Sequence, residues 1–138
     1  MRARVLVVED EQEVASLIAA YLAREGFETV VCGSAESALE AEGAGRFDLV
    51  VLDLNLPGMD GFEALTKLKS YVDTKHIPVI ALSANAMPHE VKRGLEAGFL
   101  QYLTKPIDVK EFLRTIDLFL TGAAQGESSK SSPPNSIA

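Results

Sequence analysis

The sequence predicts an α/β fold, with five strand–helix repeats wound into one parallel sheet in the order 2-1-3-4-5. Three observations carry this. Short continuous apolar runs, such as Val5-Leu6-Val7-Val8 and Leu49-Val50-Val51-Leu52, recur along the chain. Each run is followed by a stretch with apolar residues at helical spacing. Turn and cap residues stand at the junctions. Strands buried on both faces need continuous apolar runs, and short links between alternating elements imply a parallel sheet with helices on both sides. Five strands favour the order 2-1-3-4-5 over a Rossmann arrangement, which needs six.

The first strand is Val5 to Val8, ending in Glu9-Asp10-Glu11. Val14, Leu17, Ile18, Tyr21 and Leu22 then trace a helix face, and Gly26 stops it. A second strand runs from about Glu28 to Cys32. Ser34 caps an Ala-rich helix that ends near Gly43 and Gly45. Asp48 to Asp53 is the third strand. Pro57-Gly58 is a turn pair, because Pro presets φ and Gly accepts a positive φ. Asp60 and Glu63 open a third helix carrying Phe62, Leu65 and Leu68. Pro78 to Ser83 is the fourth strand. Pro88 starts the fourth helix and Gly98 ends it; its apolar face is the thinnest of the five, and Gly94 weakens it further. Leu100 to Thr104 is the fifth strand. Asp108 and Glu111 repeat the capping pattern before a helix with Val109, Phe112, Leu113, Ile116 and Leu120 inside. This is the flavodoxin-like order.

The chain has 138 residues, enough for one domain with a core that folds without staples. The domain is expected over residues 1–121, and residues 122–138 read as a disordered Ser/Pro-rich tail or linker stub. The net charge of −7 and the absence of a basic stripe argue against direct nucleic-acid binding. One cysteine, Cys32, rules out an internal disulfide and reads as a buried strand thiol. No apolar run approaches membrane-spanning length and the start lacks the pattern of a signal peptide, so a cytoplasmic protein is expected. His76 and His89 read as surface residues, and Phe99, Phe112 and Phe119 as packing residues.

In an open parallel sheet, ligands bind beyond the carboxyl ends of the strands at the point where the order reverses. Strands 1 and 3 flank that point. The first ends in Glu9-Asp10 and the third in Asp53, so three carboxylates converge on strands spaced about 5 Å apart. Such a cluster must take up a proton or a cation. Mg²⁺ suits it, since that ion takes few protein ligands and keeps part of its water. Placement near a helix start explains Glu9, Asp10 and Glu11 without any ligand. It does not explain Asp53, which closes a buried run well before the next helix. Strand 4 contributes Ser83 and strand 5 Lys105. Carboxylates, a hydroxyl and an ammonium are what a phosphoryl acceptor uses. Spacing does not say which carboxylate is the nucleophile.

At these residues the chain resembles the receiver domains of response regulators. The resembling segments are Val7-Val8-Glu9-Asp10, Asp53-Leu54-Asn55-Leu56-Pro57-Gly58-Met59-Asp60-Gly61, Ala81-Leu82-Ser83-Ala84-Asn85-Ala86 and Tyr102-Leu103-Thr104-Lys105-Pro106. The four motifs stand in order at four strand ends, and the likeness covers about residues 4–120. It implies that Asp53 is the phosphorylated residue. Asp10 and Asp53 would ligate Mg²⁺, with Glu9 acting partly through water and the main-chain carbonyl of Asn55 as a further ligand. Lys105 would pair with the phosphoryl group, Ser83 would hydrogen-bond it, and Tyr102 would be the aromatic switch that turns inward when Ser83 moves. The Lys105-Pro106 bond would be cis. The implied donor is a histidine kinase or a histidine phosphotransfer protein, and the read-out face is the fourth helix, fifth strand and fifth helix. A weak homodimer through the fourth or fifth helix is left open.

Three other readings compete. An aspartate-nucleophile phosphatase would resemble an Asp-x-Asp pair on strand 1 with a lid insertion, and this chain has neither. A flavin or nucleotide carrier needs a phosphate-cradling loop after strand 1, where Glu9-Asp10-Glu11 would repel phosphate. A receiver-like interaction module that is never phosphorylated is opposed by the intact set of acids, Ser83 and Lys105. The domain is not expected to be an enzyme beyond its own phosphotransfer and dephosphorylation.

Overall fold

A computed structural model describes residues 3–44, 47–56, 58–85 and 87–122, with 41–44 and 121–122 as backbone only. The elements alternate as the apolar pattern requires. They are β1 (Arg4–Val8), α1 (Gln12–Arg24), β2 (Glu28–Cys32), α2 (Ala35–Ala44), β3 (Leu49–Asp53), α3 (Gly61–Ser70), β4 (Val79–Ser83), α4 (Pro88–Ala97), β5 (Gln101–Thr104) and α5 (Val109–Asp117). All pairings are parallel and the order is β2-β1-β3-β4-β5.

Both faces of the sheet are covered, so alternate residues of each central strand enter different cores. Leu6, Val8, Val50, Leu52, Val79 and Ala81 pack with Ala35, Ala38, Leu65, Leu68 and Phe99 on the side of α2 and α3. Val5, Val7, Leu49, Val51, Ile80 and Leu82 pack with Ile18, Leu22, Phe112 and Ile116 on the side of α1 and α5. β3 and β4 are buried along their whole length. The caps form as the sequence predicts. Ser34 Oγ accepts from the Ser37 N–H, Asp60 Oδ1 from Glu63 N–H and Asp108 Oδ1 from Glu111 N–H. Gly26, Gly58 and Gly98 all have positive φ, and Lys105-Pro106 is cis.

Some expectations need correction. Leu17 is 43% exposed, because α1 turns Ala15, Ile18 and Leu22 inward and position 17 falls outside that stripe. Cys32 is half-buried rather than buried, since β2 is an edge strand paired only with β1. α5 stops at Asp117 and continues as a wider π-type turn, Leu118–Gly122. That turn shifts the phase of the helix, leaving Leu118 exposed while Phe119 and Leu120 pack against the core. Gly45, Pro57, Ala86 and the segment 123–138 lie outside the described residues, and with them the helix-2 stop at Gly45, half of the predicted turn pair and the tail. Among the described residues, no helix is long and apolar enough to cross a membrane.

Candidate functional site

The parallel ladder carries the site residues to one end of the sheet. Val8 pairs with Leu52, Asp53 with Leu82, and Ser83 with Thr104. The ladder then runs on past the strand ends. Glu9 N–H donates to Cys32 O, Leu54 N–H to Leu82 O and Lys105 N–H to Ser83 O, each at 2.9 Å. Backbone pairing therefore fixes Glu9, Asp53, Ser83 and Lys105 before any side chain interacts.

Glu9, Asp10 and Asp53 each present a carboxylate oxygen, and these atoms lie within 4.8 Å of one another. Glu9 and Asp53 are only 2% and 1% exposed, whereas Asp10 faces solvent. The Lys105 ammonium stands over the buried pair, 3.0 Å from Glu9 Oε1, 3.2 Å from Asp53 Oδ2 and 2.8 Å from Glu11 Oε1. Burial pushes the Glu9 carboxyl above its ordinary pKa, and the neighbouring Asp53 charge adds to this. The Glu11 N–H and Lys105 act in the opposite direction without cancelling the rise. Burial alone would lower the pKa of Lys105, but the carboxylates of Glu11, Glu9 and Asp53 outweigh it and raise it. Three carboxylates, those of Glu9, Glu11 and Asp53, thus share one ammonium. Glu9 Oε1 is buried and, despite its closeness to Lys105, accepts no well-formed hydrogen bond. An all-oxygen set with an unsatisfied buried acceptor and one solvent-facing member fits a hard, partly hydrated cation such as Mg²⁺.

A second set of contacts leads away from Asp53. Asn55 N–H donates to Asp53 Oδ1 at 2.8 Å, and Ser83 Oγ donates to Asn55 Oδ1 at 3.3 Å. Asn85 N–H donates to Ser83 Oγ at 3.0 Å, and the Tyr102 hydroxyl donates to the Asn85 carbonyl at 2.8 Å. Tyr102 is half-buried, with its ring against the α3-side core. Hydrogen bonds therefore run without a break from the Asp53 carboxylate to an aromatic ring on β5.

All the residues predicted for the site are brought together: Glu9, Asp10, Asp53 and Lys105 in the crevice, with Asn55 and Ser83 at its rim and Tyr102 at the far end of the hydrogen-bonded run. His76 and His89 are exposed, in the β4 approach and the first turn of α4, and neither is among the residues gathered in the crevice. The sequence reading took Glu11 as a helix-start acid with no place in the site, yet it holds the shortest contact to Lys105. Its N–H donates to Glu9 Oε2 at 3.0 Å, folding the acidic loop back on itself. It also took Gly94 for a defect in α4. A Cβ there would stand 2.9 Å from Tyr102 Cδ2, so the position is occupied by a ring rather than merely lacking one. The contact pairs residues on different elements, and no local pattern announces it.

Comparison with known proteins agrees with this geometry. Residues 5–117 match the family model described as the response regulator receiver domain. The chain is 38% identical over 116 residues to the DNA-binding response regulator MtrA of Mycobacterium tuberculosis, covering 84% of this chain and 50% of that protein. It is 39% identical over 108 residues to the response regulator PleD of Caulobacter vibrioides, covering 78% of this chain and 24% of that protein. The chain thus spans half or less of the length of these relatives. Among solved structures, the chemotaxis protein CheY4 of Vibrio cholerae superposes with a TM-score of 0.82 at 27% identity, over 87% of this chain and all of that one. The receiver domain of the sensor histidine kinase PA1611 from Pseudomonas aeruginosa, with a magnesium ion coordinated in its active-site cleft, superposes with a TM-score of 0.79 at 28% identity, over 86% of this chain and 98% of that one. With the fold, the acidic cluster and the match over residues 5–117 in agreement, this chain belongs to the response regulator receiver domain family.

Proposed function

We propose that this domain accepts a phosphoryl group on Asp53, in a Mg²⁺-dependent reaction, from the phosphohistidine of a histidine kinase or histidine phosphotransfer protein. The observation that carries this is the setting of Asp53. Its carboxylate is buried at the end of β3, within 4.8 Å of oxygens from Glu9 and Asp10 and 3.2 Å from the Lys105 ammonium. A structural carboxylate does not need two acidic neighbours and a shared cation.

Asp10, Asp53, Glu9 and the main-chain carbonyl of Asn55 would hold Mg²⁺, whose positive charge offsets that of the phosphoryl oxygens when bound. Every other part of the task falls to side chains of this chain. Asn55 N–H and Lys105 grip the two Asp53 oxygens, fixing the plane of the carboxylate. A carboxylate oxygen attacks phosphorus in line, the phosphorus–nitrogen bond of the donor breaks, and its electron pair stays on the imidazole. Lys105 stabilises the charge on the transferred oxygens. Ser83 leaves Asn55 and donates to the attached group. That movement breaks the run from Ser83 through Asn85 to Tyr102 and shifts the population of states on the face formed by α4, β5 and α5. We read residues 1–121 as the receiver unit, 122–138 as a tail or linker, and the cytoplasm as its compartment. A weak homodimer through α4 or α5 belongs to this reading as well.

The test is incubation with acetyl phosphate and Mg²⁺, read on a phosphate-affinity gel. A retarded band that requires Mg²⁺ and is lost in Asp53→Asn is expected. No band, with acetyl phosphate or with a donor kinase, favours a receiver-like interaction module that is not phosphorylated.

A further inference from the structure

We propose that Gly94 is a positioning residue for Tyr102. Its missing side chain is the seat that lets the Tyr102 ring lie against α4 while the hydroxyl reaches Asn85. This rests on the reading of Tyr102 as the switch, although the contact itself does not.

Gly is costly inside a helix, and it is usually kept where the backbone or the available space demands it. The backbone makes no such demand here, because Gly94 has no positive φ. Space does. A Cβ at this position would lie 2.9 Å from Tyr102 Cδ2 and 3.1 Å from Cε2, closer than carbon atoms approach one another, and 3.7 Å from Phe99 Cδ2. Gly94 is also the one buried residue among those described in α4, so the helix rests on β5 at this point.

Neither partner can slip aside freely. The Tyr102 hydroxyl is tied to the Asn85 carbonyl at 2.8 Å. On the other side, the Arg93 guanidinium stacks over the Phe62 ring of α3 at 4.0 Å, and Phe62 meets Phe99 edge-on at 5.7 Å. α4 is therefore clasped to α3 one residue before the seat. A methyl group at position 94 must displace the ring, and its hydroxyl then leaves Asn85. Gly94 thus selects which placement of Tyr102 is open before any phosphoryl group arrives.

The experiment uses the full chain labelled with 3-fluorotyrosine. The sequence has three tyrosines, and Tyr102→Phe identifies the resonance of Tyr102. In Gly94→Ala the Tyr102 fluorine signal should move in the unphosphorylated protein, while the Tyr21 and Tyr71 signals stay. Thermal unfolding supplies the second reading. Gly94→Ala should fail to raise Tm in the wild-type background, or should lower it, yet raise it in a Tyr102→Ala background where the blocking ring is gone. Should Gly94→Ala alone not fold, its rescue by Tyr102→Ala supports the seat equally. An equal rise in Tm in both backgrounds, with an unmoved Tyr102 signal, overturns the proposal. The wild-type Tyr102 signal on adding acetyl phosphate and Mg²⁺ tests the switch separately: coupling without that response keeps the seat and sinks the switch.

Discussion

Glu9 and Lys105 set the electrostatics of the crevice. Glu9 is buried beside Asp53, and burial first, then that neighbouring charge, raises its pKa above the ordinary 4.5. Between 4.5 and the raised value the folded state binds more protons than the unfolded one. Stability therefore increases as pH falls through that window and is lower once Glu9 ionises. In chelator, we expect Tm to rise on mild acidification. Glu9→Gln should raise Tm at neutral pH, abolish the acid gain and weaken Mg²⁺ binding; calorimetry with and without Mg²⁺ checks all three. Lys105 behaves oppositely. Its pKa is raised above the unfolded value, so its contribution is complete throughout the neutral range and is lost only at strongly alkaline pH. Lys105→Met leaves buried Glu9 and Asp53 uncompensated and should cost about 3–5 kcal/mol in chelator. Saturating Mg²⁺ should recover part of that loss, and denaturant titration measures both. Glu9, Asp10, Asp53, Ser83 and Lys105 were legible because strand alternation and the switch point place strand ends together. Glu11 was not, since its role depends on how the acidic loop folds back through the Glu9 carboxylate.

At the scale of elements, the start of α3 connects β3 to its helix. Asp60 caps it, and Gly61 must be Gly, because a Cβ would run into the Leu54 side chain and stand 2.9 Å from Leu54 Cα. Backbone cannot yield as a side chain can. Gly61→Ala should therefore destabilise by about 1–3 kcal/mol, and Asp60→Ala by about 1 kcal/mol. Chemical denaturation distinguishes the two, and only the first should disturb the Leu54–Asn55 amide signals beside Asp53. The strands and caps could be read because each depends on local order: β-branched runs, or an acid three residues before an amide. The exposure of Leu17, the half-burial of Cys32 and the wide turn after α5 could not. Each depends on which neighbour the element meets, whether an edge, a rim or a core with room for Phe119 and Leu120.

The whole molecule is a rigid sheet with two unequal sides. α1 and α5 bury large apolar residues against one face, whereas α4 buries only Gly94 among its described residues. The hydrogen-bonded run from Asp53 through Asn55, Ser83, Asn85 and Tyr102 thus ends beside this thinly buried helix. The folded state alone gathers the carboxylates, so Mg²⁺ should stabilise the domain, by about 2.7 kcal/mol at a hundredfold excess over Kd. A thermal shift that grows with Mg²⁺ concentration and collapses in Asp10→Asn is expected. Family and fold were both legible, because four motifs fall at four strand ends in one order. What lies across elements, the seat at Gly94 and the clasp at Arg93, appears only once α4 is placed.

Reductive trapping tests the central claim most directly. An acyl phosphate on a carboxylate is reduced by borohydride to a primary alcohol, with loss of phosphate, and peptide mass mapping locates the residue changed. After treatment with acetyl phosphate and Mg²⁺, the account predicts that Asp53 alone becomes homoserine, and that chelator prevents it. Reduction at Glu9, Asp10 or another carboxylate, or none under conditions that saturate the site with Mg²⁺, would contradict it.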